Sequence, residues 1–352
     1  MSTTDAAGNI ALARREKIDG VMTLSSETAV PTVAAVAASL SLPGFSQRTA
    51  ELATDKLAMK DAFVRHGAPT SPHRAVTGFD DARAFTTENG FPVVLKPAVN
   101  SGQRGTSRVD DEASLDAAVA DALAHAPDGR ALIETFVPGP EINVTAVVEN
   151  GQATVLSISE RVTAAPPHFG IAIAHAAPPH LERTQLAALH EAVQRAAEAI
   201  ELRDGIIYPQ FIVGLAGPSL LEIAARIPGG FMREVALGLS GIDLVDVAIA
   251  QALGETAPLS AVPRSSAKAA LVVRFLTELD AHRLNQRPDD ERLAAARRLS
   301  GIGAVHWHLD HEAPIPSLTH SGARFAAVIA TATSRAEAET QAENAIDYLL
   351  GD

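Results

Sequence analysis

The chain has 352 residues, 47% hydrophobic and 20% charged, enough for two or three packed units with cores of their own. A net charge of -13, with lysine confined to Lys17, Lys56, Lys60, Lys96 and Lys268, leaves no basic stripe to track a nucleic acid. No apolar run reaches the ~18 residues that span a bilayer, so no membrane partner and a cytoplasmic location are expected. The absence of cysteine removes disulfides, thiolate metal sites and a Cys nucleophile, including a built-in glutaminase of the Cys-His kind.

In chain order, Gly20 to Leu24 reads as a strand, followed by an Ala/Val-rich helix from about Pro31 to Leu40 and a stop at Pro43-Gly44. One such βα unit cannot bury both faces of a parallel sheet and needs a neighbour. Asp55 then opens a helix to His66, ended by Gly67 and Pro69. Short strands follow at Val93 to Lys96 and Thr106 to Val109, joined by the loop Ser101-Gly102-Gln103-Arg104-Gly105, and then a helix from Glu112 to His125. Further strands are expected at Ala131 to Glu134, Asn143 to Val148 and Ala153 to Ser159, with turns at Pro138-Gly139-Pro140 and Glu149-Asn150-Gly151. A long helix from about Thr184 to Glu201 leads into strands Ile206 to Val213 and Ser219 to Ala224, then a helix from Leu244 to Leu253. The last hundred residues suggest strands near Lys268 to Phe275, Ala304 to Leu309 and Arg324 to Ala330, and a helix from Arg335 to Leu349.

The most informative segment is Tyr208 to Gly230. If Gly214-Leu215-Ala216-Gly217-Pro218 is a hairpin loop, pairing symmetric about Ala216 sets Gln210 opposite Glu222 on one face. Opposed Cβ atoms lie ~5 Å apart in such a pair, so one oxygen from each can reach a single Mg²⁺. Phe211, Leu221 and Ile223 then point to the buried face, and Arg226 continues the polar one ahead of Gly229-Gly230. A surface hairpin with an incidental Gln and Glu fits the same residues. Lys96 leaves the apolar run Phe91-Pro92-Val93-Val94-Leu95 just before the glycine loop, where an ammonium can meet a phosphate while backbone N–H groups cradle the next. It equally suits a strand-end lysine reaching for solvent. Glu134 and Glu141 flank the Pro-Gly-Pro turn, a segment able to present backbone groups to an adenine edge and a carboxylate to ribose hydroxyls. His306 and His308 alternate on an expected strand with Asp310 in phase and His311 adjacent, which reads as a partly exposed strand more readily than as a metal site. The stretch Pro166-Pro167-His168-Phe169, with His175 beyond it, is a weaker candidate near substrate.

In this order, Asp55-Lys56, Pro92 to Pro97, Ser101 to Gly105, Ile133-Glu134 through Glu141, and Glu222-Ile223-Ala224-Ala225-Arg226 with Gly229-Gly230 resemble the ATP-grasp superfamily, in particular its L-amino acid ligase branch. The resemblance implies an α+β, ATP-grasp fold in which two α+β subdomains clamp ATP, preceded by a partial Rossmann-like unit. The implied division is 1–52 for that unit, 53–260 for the ATP-grasp core, and 261–352 for a C-terminal α+β part packing on the core. It places Lys56, Lys96 and the loop residues Ser101, Gly102 and Gly105 on the phosphates. Glu134, Thr135, Phe136 and Val137 would line the adenine, Glu141 the ribose, and Gln210 and Glu222 would hold Mg²⁺ or Mn²⁺. Lys96 and Arg226 would stabilise the transferring phosphoryl group and the acyl phosphate. The expected activity is ATP-dependent joining of a carboxylate to an amine, with amino acids as the small-molecule partners. A carbamoyl-phosphate-synthetase-like enzyme and a nucleotide-binding pseudoenzyme are the alternatives.

Three departures stand out. Gln210 replaces the family's usual glutamate, Ala224 stands where an asparagine is usual, and the opening domain is short. Biotin carboxylases, which share the core, continue after the arginine with Gln-Val-Glu-His, whereas this chain has Ile227-Pro228-Gly229-Gly230. The lone strand Gly20 to Leu24 offers an unpaired edge, which predicts a homodimer.

Overall fold

A computed structural model describes residues 1–99, 102–165, 168–257, 259, 270–310 and 312–351. Its elements begin with α1 (Ala6–Glu16), α2 (Val30–Leu40), α3 (Gln47–Leu52), α4 (Lys56–Arg65), β1 (His73–Val76), α5 (Phe79–Asn89), β2 (Val93–Pro97), β3 (Ser107–Val109) and α6 (Glu112–Ala124). They continue with β4 (Ala131–Thr135), β5 (Glu141–Glu149), β6 (Gln152–Thr163), β7 (Ala172–Ala177), α7 (Arg183–Ala199), β8 (Gly205–Gly214), β9 (Gly217–Ala224), α8 (Met232–Ser240) and α9 (Leu244–Ala252). The last are β10 (Ala270–Leu276), α10 (Asp290–Ala296), β11 (Ile302–Trp307), β12 (Ala326–Ala332) and α11 (Arg335–Leu350).

The chain forms two compact units. The first comprises residues 1–101, 105–158 and 181–262, the second 102–104, 159–180 and 263–352. Within the first, a four-stranded antiparallel sheet in the order β1-β4-β2-β3 has one face covered by α5 and α6. Val93, Leu95, Val109, Ala131 and Ile133 alternate onto that face and pack with Phe85, Leu115 and Val119. Lys96, Leu132 and Glu134 lie on the other face by the same alternation.

The first unit also holds β5, β8, β9 and the first part of β6, with β5 between β6 and β8. Along β5 the alternate residues Ile142, Val144, Ala146 and Val148 enter a core shared with Leu189, Val193 and Ala196 of α7. Glu141, Asn143 and Thr145 therefore face the opposite way. Helix α7 starts on a capping box in which Glu182 and Gln185 satisfy each other's backbone N–H groups. In α4 Asp55 is the N-cap, accepting from the backbone of Leu57 at 2.9 Å and Ala58 at 3.2 Å, and Arg130 grips its other oxygen at 2.6 Å. In the second unit, β11, β12, β10, β7 and the later part of β6 lie side by side, with α11 packed on β10 and β12. Among the described residues no single helix is long and apolar enough to cross a membrane.

The expected strand at Gly20 to Leu24 does not form. Only Leu24 makes a bridge, parallel to Ile227, with the Ser25 N–H on the Ile227 carbonyl at 3.1 Å. A parallel strand needs a neighbour along its length, and among the described residues only Ile227 pairs with this segment. The edge that motivated a homodimer is thereby absent, while the helix after it runs from Val30 to Leu40. Elements the sequence reading missed are α1, α3, α5, α8, α10, β1 and β7. The expected start of the strand at Lys268 lies outside the described residues, which take up β10 at Ala270.

Candidate active site

The hairpin of β8 and β9 carries the central pair. Gln210 stands directly opposite Glu222, as expected, although the route to that register differs from symmetry about Ala216. The turn is one residue shorter, with Gly214 opposite Gly217 and Phe211 opposite Leu220, and a β-bulge between Gln210 and Phe211 restores the pair. Leu221 is the extra residue. Leu220 and Ile223 are both buried in the core with Phe211, so Leu220 takes the inward position expected of Leu221, which stays half-buried. Glu222 is left with 35% of its side chain exposed, and the Lys56 ammonium lies 4.0 Å from it.

Next to this pair, on β5, Asn143 is opposite Gln210, giving a lateral row Asn143, Gln210, Glu222 across three strands. The Gln210 Nε2 group donates to Asn143 Oδ1 at 2.8 Å and to the Tyr208 hydroxyl at 3.4 Å. Tyr208 itself faces Ala224 across the hairpin. Asn143 and Tyr208 were not among the expected site residues. The signal for Asn143 was present, because an amide at an alternate position of the apolar strand Ile142 to Val148 must find polar company on the second face.

Lys96 and Glu134 occupy the open face of the small sheet, and α4 supplies their third partner. Glu134 sits between the Lys60 ammonium at 2.6 Å and the Lys96 ammonium at 2.5 Å, and also accepts from Ser71 at 2.9 Å. Burial alone would raise the Glu134 carboxyl, but Lys60 and then Lys96 overcome it and hold it far below the usual carboxylate range. For Lys96, burial opposes the charge, and Glu134, followed by Glu222, outweighs it, so the ammonium titrates above its ordinary value. Lys60 shows the reverse balance, with burial pulling it down against Glu134. It is fully buried and also donates to Thr70 at 2.7 Å and the Leu220 carbonyl at 3.1 Å. Lys60 lies one turn beyond Lys56, and nothing in Lys56 to Lys60 announces its burial. Glu134, expected against adenine, is engaged by two lysines.

Arg226 reaches back to Glu27, at 2.6 Å from Nη2 and 2.8 Å from Nε. Burial pushes the Glu27 carboxyl up against the influence of Arg226, and the charge on Glu222 adds to the push. Glu27 escaped the sequence reading because it is 199 residues from its partner.

Of the loop, Ser101 lies outside the described residues. Gly102 and Gly105 have φ of +76° and +69°, but their surroundings differ. Around Gly102 a Cβ would meet nothing within 4 Å, whereas at Gly105 it would strike His125 Cβ at 2.7 Å. Gly102 is thus glycine for its backbone alone and Gly105 also for packing. Thr135 ends β4, the Phe136 N–H donates to the Pro92 carbonyl at 3.1 Å, and the Arg108 guanidinium lies 4.2 Å over the Phe136 ring. Val137 leads into the turn that brings Gly139 against the Val213 carbonyl, where a Cβ would come within 2.6 Å. Glu141 opens β5 opposite Ile212 and adds its charge to the field at Lys96.

In the second unit, His168 Nδ1 is 2.9 Å from the Leu318 carbonyl oxygen. His175 is buried edge-on to Phe275, and burial, then Arg161 and Arg324, hold its imidazole well below its ordinary pKa. His306 and His308 stack with ring centroids 6.2 Å apart. Among the described residues no three His, Asp or Glu side chains are grouped to hold a metal, and His311 lies outside them. A cation beside Glu222 would therefore meet one carboxylate and the carboxamide oxygen of Gln210. These are hard oxygen donors suited to Mg²⁺ with phosphate and water completing its shell.

Residues 55–260 match the family model described as carbamoyl-phosphate synthase L chain, ATP binding domain. The phosphoribosylamine–glycine ligase of Caulobacter vibrioides is 28% identical over 272 residues, 73% of this chain and 64% of that protein. The chain spans about two thirds of the length of the curated relatives it matches. Among solved structures, the L-amino acid ligase of Bacillus licheniformis superposes with a TM-score of 0.80 at 21% identity, covering 98% of this chain and 84% of that one. The biotin carboxylase domain of Hydrogenobacter thermophilus 2-oxoglutarate carboxylase, a dimer in complex with MgADP, ADP and bicarbonate, gives 0.71 at 19% identity, covering 94% and 74%. The family match over residues 55–260, together with the fold just described, establishes that this chain belongs to the ATP-grasp superfamily, through an ATP-binding domain of the carbamoyl-phosphate synthase L chain kind.

Proposed function

We propose that the chain is an ATP-dependent carboxylate–amine ligase, forming an amide or peptide bond through an acyl phosphate and releasing ADP and phosphate. The observation that carries this reading is the convergence, within one unit, of cations and oxygen donors suited to phosphoryl transfer. Lys96 is held cationic at the end of β2 within the field of Glu222, and Lys56 lies against Glu222 in the row Asn143, Gln210, Glu222. In this reading Lys56 and Lys96 bind phosphate oxygens, and Thr135 to Val137 with Glu141 hold the nucleoside. Gln210 and Glu222 would hold Mg²⁺, or Mn²⁺, which supplies charge neutralisation at the phosphates when bound.

A carboxylate oxygen of the first substrate attacks the γ-phosphorus, the bond to the β–γ bridging oxygen breaks, and ADP leaves. The amine nitrogen then attacks the acyl carbon, its proton passes to solvent and phosphate departs. Arg226, released from Glu27, steadies the acyl phosphate oxygens. The small ligands are amino acids, consistent with the likeness to an L-amino acid ligase, and the reading includes a cytoplasmic location.

Phosphate release measured over pairs of amino acids tests the proposal. The expected result is ADP and phosphate only when carboxylate, amine and Mg²⁺ are all present, and formation of AMP and pyrophosphate would sink it. Ala224 favours one other reading, a nucleotide-binding chain without turnover, which tight MgADP binding with no phosphate release under any pair would identify.

A further inference from the structure

The row Asn143, Gln210, Glu222 poses a chemical question, because the middle residue is an amide. A carboxamide has one end that can ligate a cation and one that repels it, and the two have almost the same shape. Turned one way, Gln210 presents an oxygen beside Glu222. Turned the other, it presents an NH₂ that would donate to the Glu222 carboxylate and close the subsite to any metal.

The structure shows what selects between them. The Gln210 NH₂ donates to Asn143 Oδ1 at 2.8 Å, on β5, the strand across β8 from the β9 that carries Glu222, and to the Tyr208 hydroxyl at 3.4 Å. Asn143 is 1% exposed and Gln210 8%, so water is a poor substitute for the Asn143 acceptor, while Tyr208 is half-buried. Asn143 comes from β5 and Tyr208 from β8, two positions along from Gln210, so two strands in register fix the orientation.

We propose that Asn143 and Tyr208 are positioning residues that lock the Gln210 carboxamide with its oxygen toward Glu222, making a neutral side chain serve as a metal ligand. This deepens the ligase reading and rests on it. A glutamate at position 210 would need no such lock, since both its ends are oxygen.

That difference supplies the test. Mn²⁺ binding to the full chain in the presence of a non-hydrolysable ATP analogue is followed by electron paramagnetic resonance, for the wild type, Asn143→Leu, Gln210→Glu and the double variant. Loss of a group that orients a metal ligand typically weakens metal affinity by about tenfold or more, and that loss is expected for Asn143→Leu beside the native Gln210. In the Gln210→Glu background the same substitution should change affinity by no more than about twofold, as the interaction energy of coupled neighbours requires. A merely structural Asn143 would give the same loss in both backgrounds, and either that result or no loss in either overturns the inference. Tyr208→Phe in the two backgrounds repeats the comparison with a milder change, and decides it where Asn143→Leu does not fold. If the wild type binds no Mn²⁺ with the analogue, the ligase reading falls and takes this inference with it. If the wild type binds and the cycle is additive, this inference alone falls.

Discussion

Two clusters in the first unit are built from the same residue types and end in opposite conditions. Around Glu134 the charges are closed on themselves, with Lys60, Lys96 and Ser71 around one carboxylate that is 2% exposed. Around Glu222 the carboxylate is 35% exposed and its lysine stands off at 4.0 Å. Short contacts and full burial make the first a structural joint, tying α4 to the small sheet. The second cluster is looser, with a more exposed carboxylate and a longer contact to its lysine. Lys96 belongs to both, anchored by Glu134 and still within the field of Glu222.

The largest effect should come from breaking the closed cluster. Glu134→Ala leaves two buried ammonium groups facing one another, and removing one partner of such an assembly typically costs about 3–5 kcal/mol. Urea unfolding of the full chain measures it, and a change comparable to that of a surface substitution would refute the joint. For the same reason Lys60→Ala should also destabilise the fold, by leaving Glu134 short of a buried partner.

Acid sharpens the contrast. The folded Glu134 carboxyl is held far below its ordinary value of 4.5, so below about that pH the unfolded chain takes up a proton that the folded chain does not. Stability must then fall as pH drops, with the contribution fully present above that value. Glu134→Gln should lose this part of the acid slope, and an unchanged slope would show that the carboxylate is not held as described.

Against this, Glu222→Gln should leave unfolding within about 0.5 kcal/mol of the wild type, as for a partly exposed side chain. Turnover at limiting Mg²⁺ should fall on the order of 10²-fold, the scale of losing one preorganised electrostatic partner. Near wild-type turnover would remove the hairpin from the site. The smallest change is Gln210→Glu, which adds a formal charge to the donor set and should lower the Mg²⁺ concentration needed for half-maximal turnover roughly a few-fold.

How far the sequence reveals these clusters follows from the range of the interactions behind them. The helix opened by Asp55, the alternation along β5 and the hairpin of β8 and β9 depend on near neighbours and are legible in the letters. Burial of Lys60 depends on Thr70, Leu220 and Glu134 arriving from three other segments, and no local pattern encodes that. Glu27 is hidden for the same reason. Gly20 to Leu24 errs the other way, since its apolar letters suit a strand while, among the described residues, pairing is limited to the single bridge at Leu24.

The extra residue at Leu221 works like a second frameshift that suppresses a first. A turn one residue short of symmetric would, uncorrected, set Glu222 out of step with Gln210, since a slip of one residue exchanges the two faces of a strand. The bulge puts the count back in frame before the acid is reached. Insertions and deletions in this hairpin are therefore tolerable only in compensating pairs. A graft that copies the turn without the bulge, or the bulge without the turn, would inherit every letter of the motif and still bury its carboxylate.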